Sequence, residues 1–227
     1  MTQTEKRFHL KNRLNMDSDT KRAKLNSASV SKRIGITGSP GTGKKSIGKE
    51  LAKRLNLEFV SINQYAIAGK WGTWKSREFE ADWKRLQGKI KTENRVVVGH
   101  LLPYLVPNND LDWIFVLRCS PSVLRKRYEK RHYSERKISE NLEAEALGII
   151  SQECVEVYAP AKLAEVDTSR IKNPVSAVMQ ISDIIIGKKR KSYGAIDWLS
   201  SASRNPASLE RVLQGKYHTF NKTTKDN

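Results

Sequence analysis

Five short runs of apolar residues alternate along the chain with longer segments in which apolar residues recur every three or four positions. Apolar runs of about four to eight residues are typical of buried strands, and the wider spacing is typical of amphipathic helices. Alternating strands and helices predict an α/β fold. The predicted strands cover residues 33–37, 57–62, 95–99, 113–118 and 163–166.

The helical segments lie between these runs and continue after the last one. Ser120, Ser134 and Asn173 stand where N-caps are expected, and Pro121 and Pro174 follow two of them as first helical residues. The predicted helices cover residues 47–55, 63–68, 77–91, 121–131, 135–158 and 174–185.

The predicted helix at 77–91 is more polar than the others. Its apolar residues recur at helical spacing, and we interpret them as a packing stripe; they are Phe79, Trp83, Leu86 and Ile90. The alternative is a flap that binds an acceptor molecule and offers Trp71 or Trp74 as an aromatic face to a base.

A glycine-rich turn, Gly-Ser-Pro-Gly-Thr-Gly-Lys-Lys-Ser at 38–46, joins the first strand to the first helix. Glycines let a backbone curl around an anion, and the N–H groups of the helix start then point at phosphate oxygens. This context predicts a phosphate-binding loop. The alternative is a turn that caps a helix and binds nothing. The candidate nucleotide-binding residues are Gly38, Gly41, Gly43, Lys44, Lys45, Ser46 and Arg131.

Two positions that usually handle magnesium depart from the common pattern. The Ser or Thr that normally follows the loop lysine is replaced by Lys45, and the hydroxyl comes one residue later at Ser46. Because one residue along a helix is a turn of about 100°, Ser46 cannot take over the role of the missing hydroxyl without a local shift of the backbone. The third predicted strand ends in valines up to Val98, so it lacks the carboxylate expected there. The sequence therefore indicates no metal ligands.

Lys44, His100, Arg127 and Arg131 are the candidate catalytic residues. Lys44 would reach the β- and γ-phosphates, and arginines can clamp two phosphate oxygens at once. His100 follows the third strand, where it could be functional or structural. Eight Lys/Arg precede or begin the helix at 135–158, and the alternative for about half is a solvated surface with ion pairs such as Arg125–Glu129.

The formal net charge is +18, and the excess is densest at the two ends. Residues 1–33 and 187–227 each hold nine Lys/Arg against three Asp/Glu, while 34–186 hold twenty-four against eighteen. Concentrated basic ends favour a polyanionic partner, RNA rather than membrane. General solubility charge is the alternative. The run at 188–191 is similar to a nuclear import signal and would also suit RNA phosphates.

The pattern predicts three parts: a flexible basic arm at 1–31, an α/β domain with the phosphate-binding loop at 32–187 and a basic extension at 188–227 with a short helix at 206–213. No apolar run is long enough to span a bilayer, and no secretory segment is evident. Cys119 and Cys154 lack metal spacing, so we expect buried or half-buried thiols in a reducing cytosol. We expect a cytoplasmic location, or a nuclear one in a eukaryote.

Several of these stretches together resemble the adenylate kinase isoenzyme 6 family, over roughly residues 33–186. The resemblance is carried by the loop at 38–44, His100, the strand at 115–118 and the segment at 127–141. The part at 133–141, ahead of Glu-Ala-Glu at 143–145, is the most specific.

The resemblance implies a P-loop NTPase of nucleoside monophosphate kinase type, with a five-stranded parallel sheet flanked by helices, a flap near 61–91 and a lid near 130–140. It implies phosphoryl transfer from ATP to AMP with Mg²⁺, some ATPase activity, and a small-subunit ribosomal protein or rRNA as partner in ribosome maturation. By position, Gly41, Gly43, Lys44, Lys45 and Ser46 match the ATP loop. Arg131 matches the lid arginine and His100 the histidine of an acidic-x-His motif.

Some positions depart from that family's pattern. The acid of the acidic-x-His motif falls at Val98, the magnesium hydroxyl at Lys45, and the glycine after the lid arginine at His132. Two hypotheses follow: a nucleoside monophosphate kinase with ATPase activity, or a catalytically weakened nucleotide-binding factor that binds RNA in ribosome assembly. A small-metabolite kinase on the same fold is a weaker third option.

Overall fold

The computed structural model describes residues 33–75 and 78–203. Its centre is a five-stranded sheet with the order β2-β5-β1-β6-β7, in which every neighbouring pair is parallel. The strands are β1 (Arg33–Gly38), β2 (Glu58–Ser61), β5 (Arg95–Val98), β6 (Trp113–Arg118) and β7 (Leu163–Asp167). All five predicted strands are present, and the predicted α/β fold with a five-stranded parallel sheet is confirmed.

Helices cover both faces of the sheet. They are α1 (Lys44–Leu55), α2 (Ile62–Ala68), α3 (Trp83–Leu86), α4 (Leu102–Leu105), α5 (Pro121–Glu129), α6 (Glu135–Ala146), α7 (Ile149–Val157), α8 (Pro174–Ile185) and α9 (Trp198–Ser203). Single 3-10 turns lie at Asn108–Asp110 and Pro160–Lys162. In the described part of the chain, no helix combines the length and apolar character that crossing a bilayer requires.

Successive side chains of each strand point to opposite faces of the sheet, and each face is covered by a separate buried core. On one face, Ile34 and Ile36 of β1 pack with α1 and α8. On the other face, Val97 of β5 and Val116 of β6 pack with α2, α3, α4 and α7. A third cluster joins α5 to α6 around Tyr128. The central strand β1 is therefore held rigidly from both sides, and the loop that leaves its carboxyl end starts from a fixed point.

The segment after α2 differs from the prediction. The prediction of a helix at 77–91 is wrong. In the structure, β3 (Gly72–Lys75) pairs antiparallel with β4 (Glu78–Ala81), and within the described part of the predicted range only the four residues of α3 are helical. Phe79 and Ala81 are partly buried while Glu80 is exposed, so the local period is two. Asp82 then caps α3 by accepting a hydrogen bond from the Arg85 amide at 3.2 Å.

The long helix expected at 135–158 is interrupted. It ends as α6 and restarts as α7, with Leu147 and Gly148 between them. Gly148 has φ 67°, a left-handed conformation that stops a right-handed helix and is easiest for glycine. Ser134 caps α6 as predicted, since its side chain accepts from the Lys137 amide.

Smaller differences concern helix ends and faces. The helix α1 begins at Lys44, three residues before the predicted start, and α5 ends at Glu129, two residues before the predicted end. Val175 lies near the start of α8, and 46% of it is exposed. Cys119 and Cys154 are buried thiols, as predicted. The expected arm at 1–31, the expected helix at 206–213 and residue 77 lie outside the described residues.

Candidate functional site

The loop between β1 and α1 lies at the carboxyl edge of the sheet, where parallel α/β folds bind ligands. Two of its glycines are dictated by geometry. Gly38 has φ 132°, and a Cβ atom there would lie 2.2 Å from the Leu117 carbonyl oxygen. Gly43 has φ 94° and directly precedes α1. Any other residue at either position would strain the turn that brings the backbone back toward the helix.

Side chains from α5 fix the path of this loop. The Tyr128 hydroxyl donates to the Pro40 carbonyl at 2.6 Å, and Arg127 Nη1 donates to the Gly41 carbonyl at 2.7 Å. Within the loop, the Thr42 hydroxyl donates to the Ser39 carbonyl at 2.9 Å. The loop is therefore shaped before any ligand binds, which lowers the entropy lost on binding.

The start of α1 is arranged as an anion site. Gly43 offers no side-chain cap, the first turn contains no acidic residue, and Lys44 and Lys45 stand there instead. The first amides of a helix have no intrahelical acceptor, and the helix dipole makes this end positive. Two lysine charges at the positive end of a helix dipole are unfavourable unless an anion binds between them and the helix. The arrangement fits a phosphate group.

Lys44 turns back onto the loop from which it rises. Its Nζ donates to the carbonyls of Gly38 at 2.6 Å and Ser39 at 2.8 Å. Burial lowers the pKa of Lys44 to about 7, the charge of Arg131 lowers it further, and the charge of Glu145 opposes the shift. A bound phosphate would replace the two carbonyls with full negative charge and raise the pKa again.

A pocket of about 230 Å³ opens beside the loop. Its walls come from the loop and α1, from Arg127 and Arg131, and from the segment at 168–174. Ser46 lines this pocket, whereas the exposed Lys45 does not. Arg127 is already committed to the Gly41 carbonyl. In the described part of the chain the exposed Arg131 guanidinium has no hydrogen-bond partner, so it is available to a ligand.

His100 lies just beyond the end of β5, across the same edge from Lys44. Much of its surface is exposed. Partial desolvation by the surrounding protein lowers the pKa of His100 to about 4, and the Lys44 charge contributes to that shift. Near pH 7 the imidazole is therefore neutral, and it can offer one hydrogen-bond donor and one acceptor.

The chain is similar to known proteins over this whole region. An AAA domain profile matches residues 34–148. A protein from Thermococcus gammatolerans named "Putative adenylate kinase" is 36% identical over 169 residues, covering 73% of this chain and 92% of its own length. Proteins of the same name from Archaeoglobus fulgidus and Pyrococcus furiosus are 36% and 33% identical, covering 74% and 73% of this chain and 92% and 90% of their own lengths.

The chain belongs to this nucleotide kinase family. Among solved structures, shikimate kinase from Bacteroides thetaiotaomicron has a TM-score of 0.46 and 20% identity over 68% of this chain and 98% of its own. Shikimate kinase from Aquifex aeolicus has a TM-score of 0.44 and 17% identity over 69% and 97%. With identities this low, the family assignment rests on the archaeal relatives and the AAA domain profile.

The side chains around the loop and the end of β5 include no carboxylate placed to hold a magnesium ion among the described residues. Val98 is apolar and 4% exposed at the end of β5, where such an acid would stand. The described residues contain no group of three His, Cys, Asp or Glu side chains that could hold a metal ion. The Ser46 hydroxyl is the oxygen that α1 offers to the pocket.

Several basic residues of α5 and of the start of α6 form ion pairs or ring contacts. Arg125 pairs with Glu129 at 3.7 Å and Glu135 at 3.1 Å, and Arg136 pairs with Glu140 at 2.9 Å, so the ion-pair alternative is right for these residues. Lys126 lies on α5, Lys130 directly follows α5, and Lys137 lies on α6 with its Nζ 4.6 Å from the centre of the Tyr133 ring.

Glu145 is a site residue that the sequence analysis missed. This carboxylate is 2% exposed and accepts from the Ser39 hydroxyl of the loop at 2.5 Å. Its partner Arg118, at the end of β6, is also buried and donates to Glu145 at 2.8 Å and to Glu165 at 2.9 Å. The signal was present: with Ile138 and Leu142, Glu145 continues an inward-facing stripe of a helix, where an acid needs a buried partner.

The aromatic residues of the flap segment are not among those that line the pocket beside the loop. Trp71 is partly buried against Tyr65, with ring centres 5.0 Å apart. Trp74 on β3 is 61% exposed and contacts Phe79 edge-on. Leu86 and Ile90 are buried, which agrees with the predicted packing stripe, whereas Trp83 of the same stripe is 41% exposed. Of the two tryptophans predicted to face a base, Trp74 is the exposed one.

Proposed function

We propose that the protein binds ATP and transfers its γ-phosphoryl group to a nucleoside monophosphate, with AMP as the expected acceptor. The observation that carries the proposal is the preshaped loop at 38–46, which ends in an uncapped helix start with Lys44 beside it. The relatives named as adenylate kinases support the same chemistry. ATPase activity would follow when water takes the place of the acceptor.

The proposed reaction needs charge neutralisation and positioning more than covalent chemistry. An oxygen of the acceptor phosphate bonds to the γ-phosphorus while the bond to the β–γ bridging oxygen breaks, and ADP leaves with that electron pair. Lys44 moves from its loop carbonyls to the phosphates, and Arg131 closes over them. Arg127 holds the loop, and neutral His100 orients an oxygen at the end of β5.

A coupled assay of ADP formation from ATP and AMP tests the proposal. We expect turnover by the wild-type protein and a loss of at least about 100-fold in Lys44→Met, because a preorganised cation facing the developing charge is lost. Lys53→Met changes an exposed lysine at the far end of the same helix and should retain activity. No turnover above Lys44→Met would overturn the kinase proposal.

A second candidate function has its own support. The missing carboxylate at Val98 and the lysine at 45 suit a nucleotide-binding factor with weakened catalysis. Lys45, Lys49 and Lys53 are all exposed and are spaced four residues apart, which places them in one basic stripe along α1. The exposed basic residues at 188–190 follow the end of α8, which packs beside α1.

We propose that this surface, with the basic arm at 1–31 and the extension at 188–227, contacts rRNA or a ribosomal particle during small-subunit maturation, in the cytoplasm or in a nucleus. Binding to a small-subunit RNA fragment should fall steeply with salt, because phosphate contacts release counterions. Lys49→Glu/Lys53→Glu should bind about tenfold more weakly than Lys126→Glu/Lys130→Glu, which has the same net charge. Equal affinities of the two variants would remove the α1 stripe from the proposal.

A further inference from the structure

The buried carboxylate of Glu145 connects parts of the chain that are distant in sequence. Its Oε1 accepts from Arg118 Nε at 2.8 Å, from the Cys119 amide at 3.0 Å and from Trp198 Nε1 at 3.1 Å. Its Oε2 accepts from the Ser39 hydroxyl at 2.5 Å. Three donors therefore hold one oxygen, and this orients the other oxygen toward the phosphate loop.

We propose that Glu145 is a positioning residue for the phosphate loop. We further propose that the segment at 192–198, which docks onto the body of the protein, determines through Trp198 how firmly Glu145 holds Ser39. The inference rests on the proposed function, since it concerns the loop that would bind ATP. The position of the loop would then also depend on the segment at 192–198, which is not among the residues that line the pocket beside the loop.

Ser39 is the residue through which this effect reaches the phosphates. Its carbonyl accepts from Lys44 Nζ at 2.8 Å, from the Thr42 hydroxyl at 2.9 Å and from the Thr42 amide at 3.3 Å. The hydroxyl of Ser39 is fixed to Glu145, so the position of that carbonyl is fixed as well. A shift of Glu145 would move the anchor of Lys44 and change the shape of the loop.

The segment at 192–198 docks through the packing of the Tyr193 ring, through backbone carbonyls of Ser192 and Ile196 that accept from the Glu165 amide and from Arg118, and through a few further polar contacts. Tyr193 donates to the Ser151 carbonyl at 2.5 Å, the Gly194 amide donates to Glu165 at 3.0 Å, and Trp198 donates to Glu145. A pocket of about 390 Å³ lies between this segment and helices α6 and α7. A segment held in this way, with a pocket beneath it, can detach without unfolding the sheet.

Tyr193 and Trp198 make a matched pair for the test. Both tie the same segment to the body of the protein by one side-chain donor, and only Trp198 contacts Glu145. The variants Trp198→Phe and Tyr193→Phe each remove one donor and keep an aromatic ring. A purely structural role of the segment would make the two variants alike at the loop.

Amide hydrogen exchange in the ligand-free protein gives the first readout. We expect the amides at 39–46 to exchange about tenfold faster in Trp198→Phe, since a hydrogen bond to a charged group is lost, and to be unchanged in Tyr193→Phe. Equal exchange at the loop in the two variants would overturn the inference. This result does not depend on nucleotide, so it separates the inference from the kinase proposal.

ATP affinity, measured by calorimetry, gives the second readout through a double-mutant cycle. Trp198→Phe should weaken ATP binding by about threefold to tenfold in the wild-type background and have almost no effect in Ser39→Ala, where the connection is already cut. Additive effects of the two substitutions would contradict the inference. Absence of ATP binding by the wild-type protein would contradict the proposed function, while the exchange result would still decide the positioning role.

Discussion

Among single residues, Lys44 makes the clearest prediction about pH. Burial brings its pKa to about 7 in the ligand-free protein, while bound phosphate requires the charged form. Below pH 7 the charge is already present; as the pH rises above 7, binding must take up a proton. ATP affinity should therefore fall by up to about tenfold per pH unit above neutrality, which calorimetry in buffers of different ionisation enthalpy can measure.

Lys44→Arg is the control for this prediction, because a guanidinium stays charged throughout the range. Its affinity for ATP should be lower but nearly constant with pH. The same pH dependence in both proteins would mean that another group takes up the proton.

His132 makes a second prediction at this scale. It has φ 55°, a left-handed conformation that is costly for a residue with a Cβ atom. The family that the sequence resembles usually has glycine here, and the structure supplies the physical reason. His132→Gly should stabilise the protein by about 0.5 to 1 kcal/mol, the relieved strain less the added entropy of the unfolded chain.

Urea unfolding measures this difference, with His132→Ala as the comparison. Alanine removes the imidazole but keeps the strained backbone, so no gain is expected from it. A similar change in both variants would assign the effect to the side chain.

The sequence predicted residues whose role is local and missed those whose role depends on distant contacts. Gly38, Gly43 and Lys44 follow from one short motif, because the turn and the helix start are adjacent in sequence. Glu145 and Arg118 lie 27 positions apart and meet only when the sheet and α6 assemble. A charged residue within an apolar stripe indicates a buried partner but does not identify it.

Among the elements, the break between α6 and α7 is open to a direct test. Gly148→Ala would put a Cβ at φ 67°, 3.5 Å from Arg118 Nη1, an ordinary contact. The expected loss of about 1 kcal/mol therefore comes from the backbone conformation. Thermal or urea unfolding would measure it.

Gly187→Ala is the matched control, since Gly187 has φ 71° after α8 and open space around its Cβ position. The two substitutions should cost about the same. A gain in stability for Gly148→Ala alone would mean that α6 and α7 can join into the single helix that their sequence pattern predicts.

The β3–β4 hairpin shows where pattern analysis of short elements fails. Phe79, Trp83 and Leu86 have helical spacing, but Phe79 belongs to a strand and the other two to a single helical turn. Strands of four residues give too few positions to separate a period of two from one of 3.6. The longer elements, such as α1 and β6, were predicted within a few residues of their observed bounds.

At the scale of the whole molecule, the net charge of +18 predicts a dependence of stability on salt. Excess positive charge destabilises the compact state by self-repulsion, and chloride screens it. The melting temperature should rise by a few degrees between about 20 mM and 500 mM NaCl. Exposed pairs such as Lys75–Glu80 act in the opposite direction but contribute only about 0–1 kcal/mol each.

Calorimetric melting at several NaCl concentrations checks this. Lys126→Glu/Lys130→Glu lowers the net charge by four and should show a smaller rise. A melting temperature that falls with salt would show that exposed ion pairs outweigh the repulsion.

The layered architecture was largely accessible from sequence because five apolar runs alternate with helices, and parallel sheets bury such runs on both faces. The order β2-β5-β1-β6-β7 required the structure or a family resemblance, since spacing alone does not say which strands are neighbours. The apolar residues Ile196, Trp198 and Leu199 indicate from the sequence that this segment docks, but its partner atoms, such as the Ser151 carbonyl that accepts from Tyr193, are seen only in the structure.

The segment at 192–198 also covers part of one edge of the sheet. β7 is an outer strand, and its Glu165 amide donates to the Ser192 carbonyl at 2.8 Å. Unprotected outer strands invite copies of a protein to stack on one another. A chain shortened by proteolysis before Ser192 would leave that amide bare, so the tail also helps to keep neighbouring molecules apart in a crowded solution.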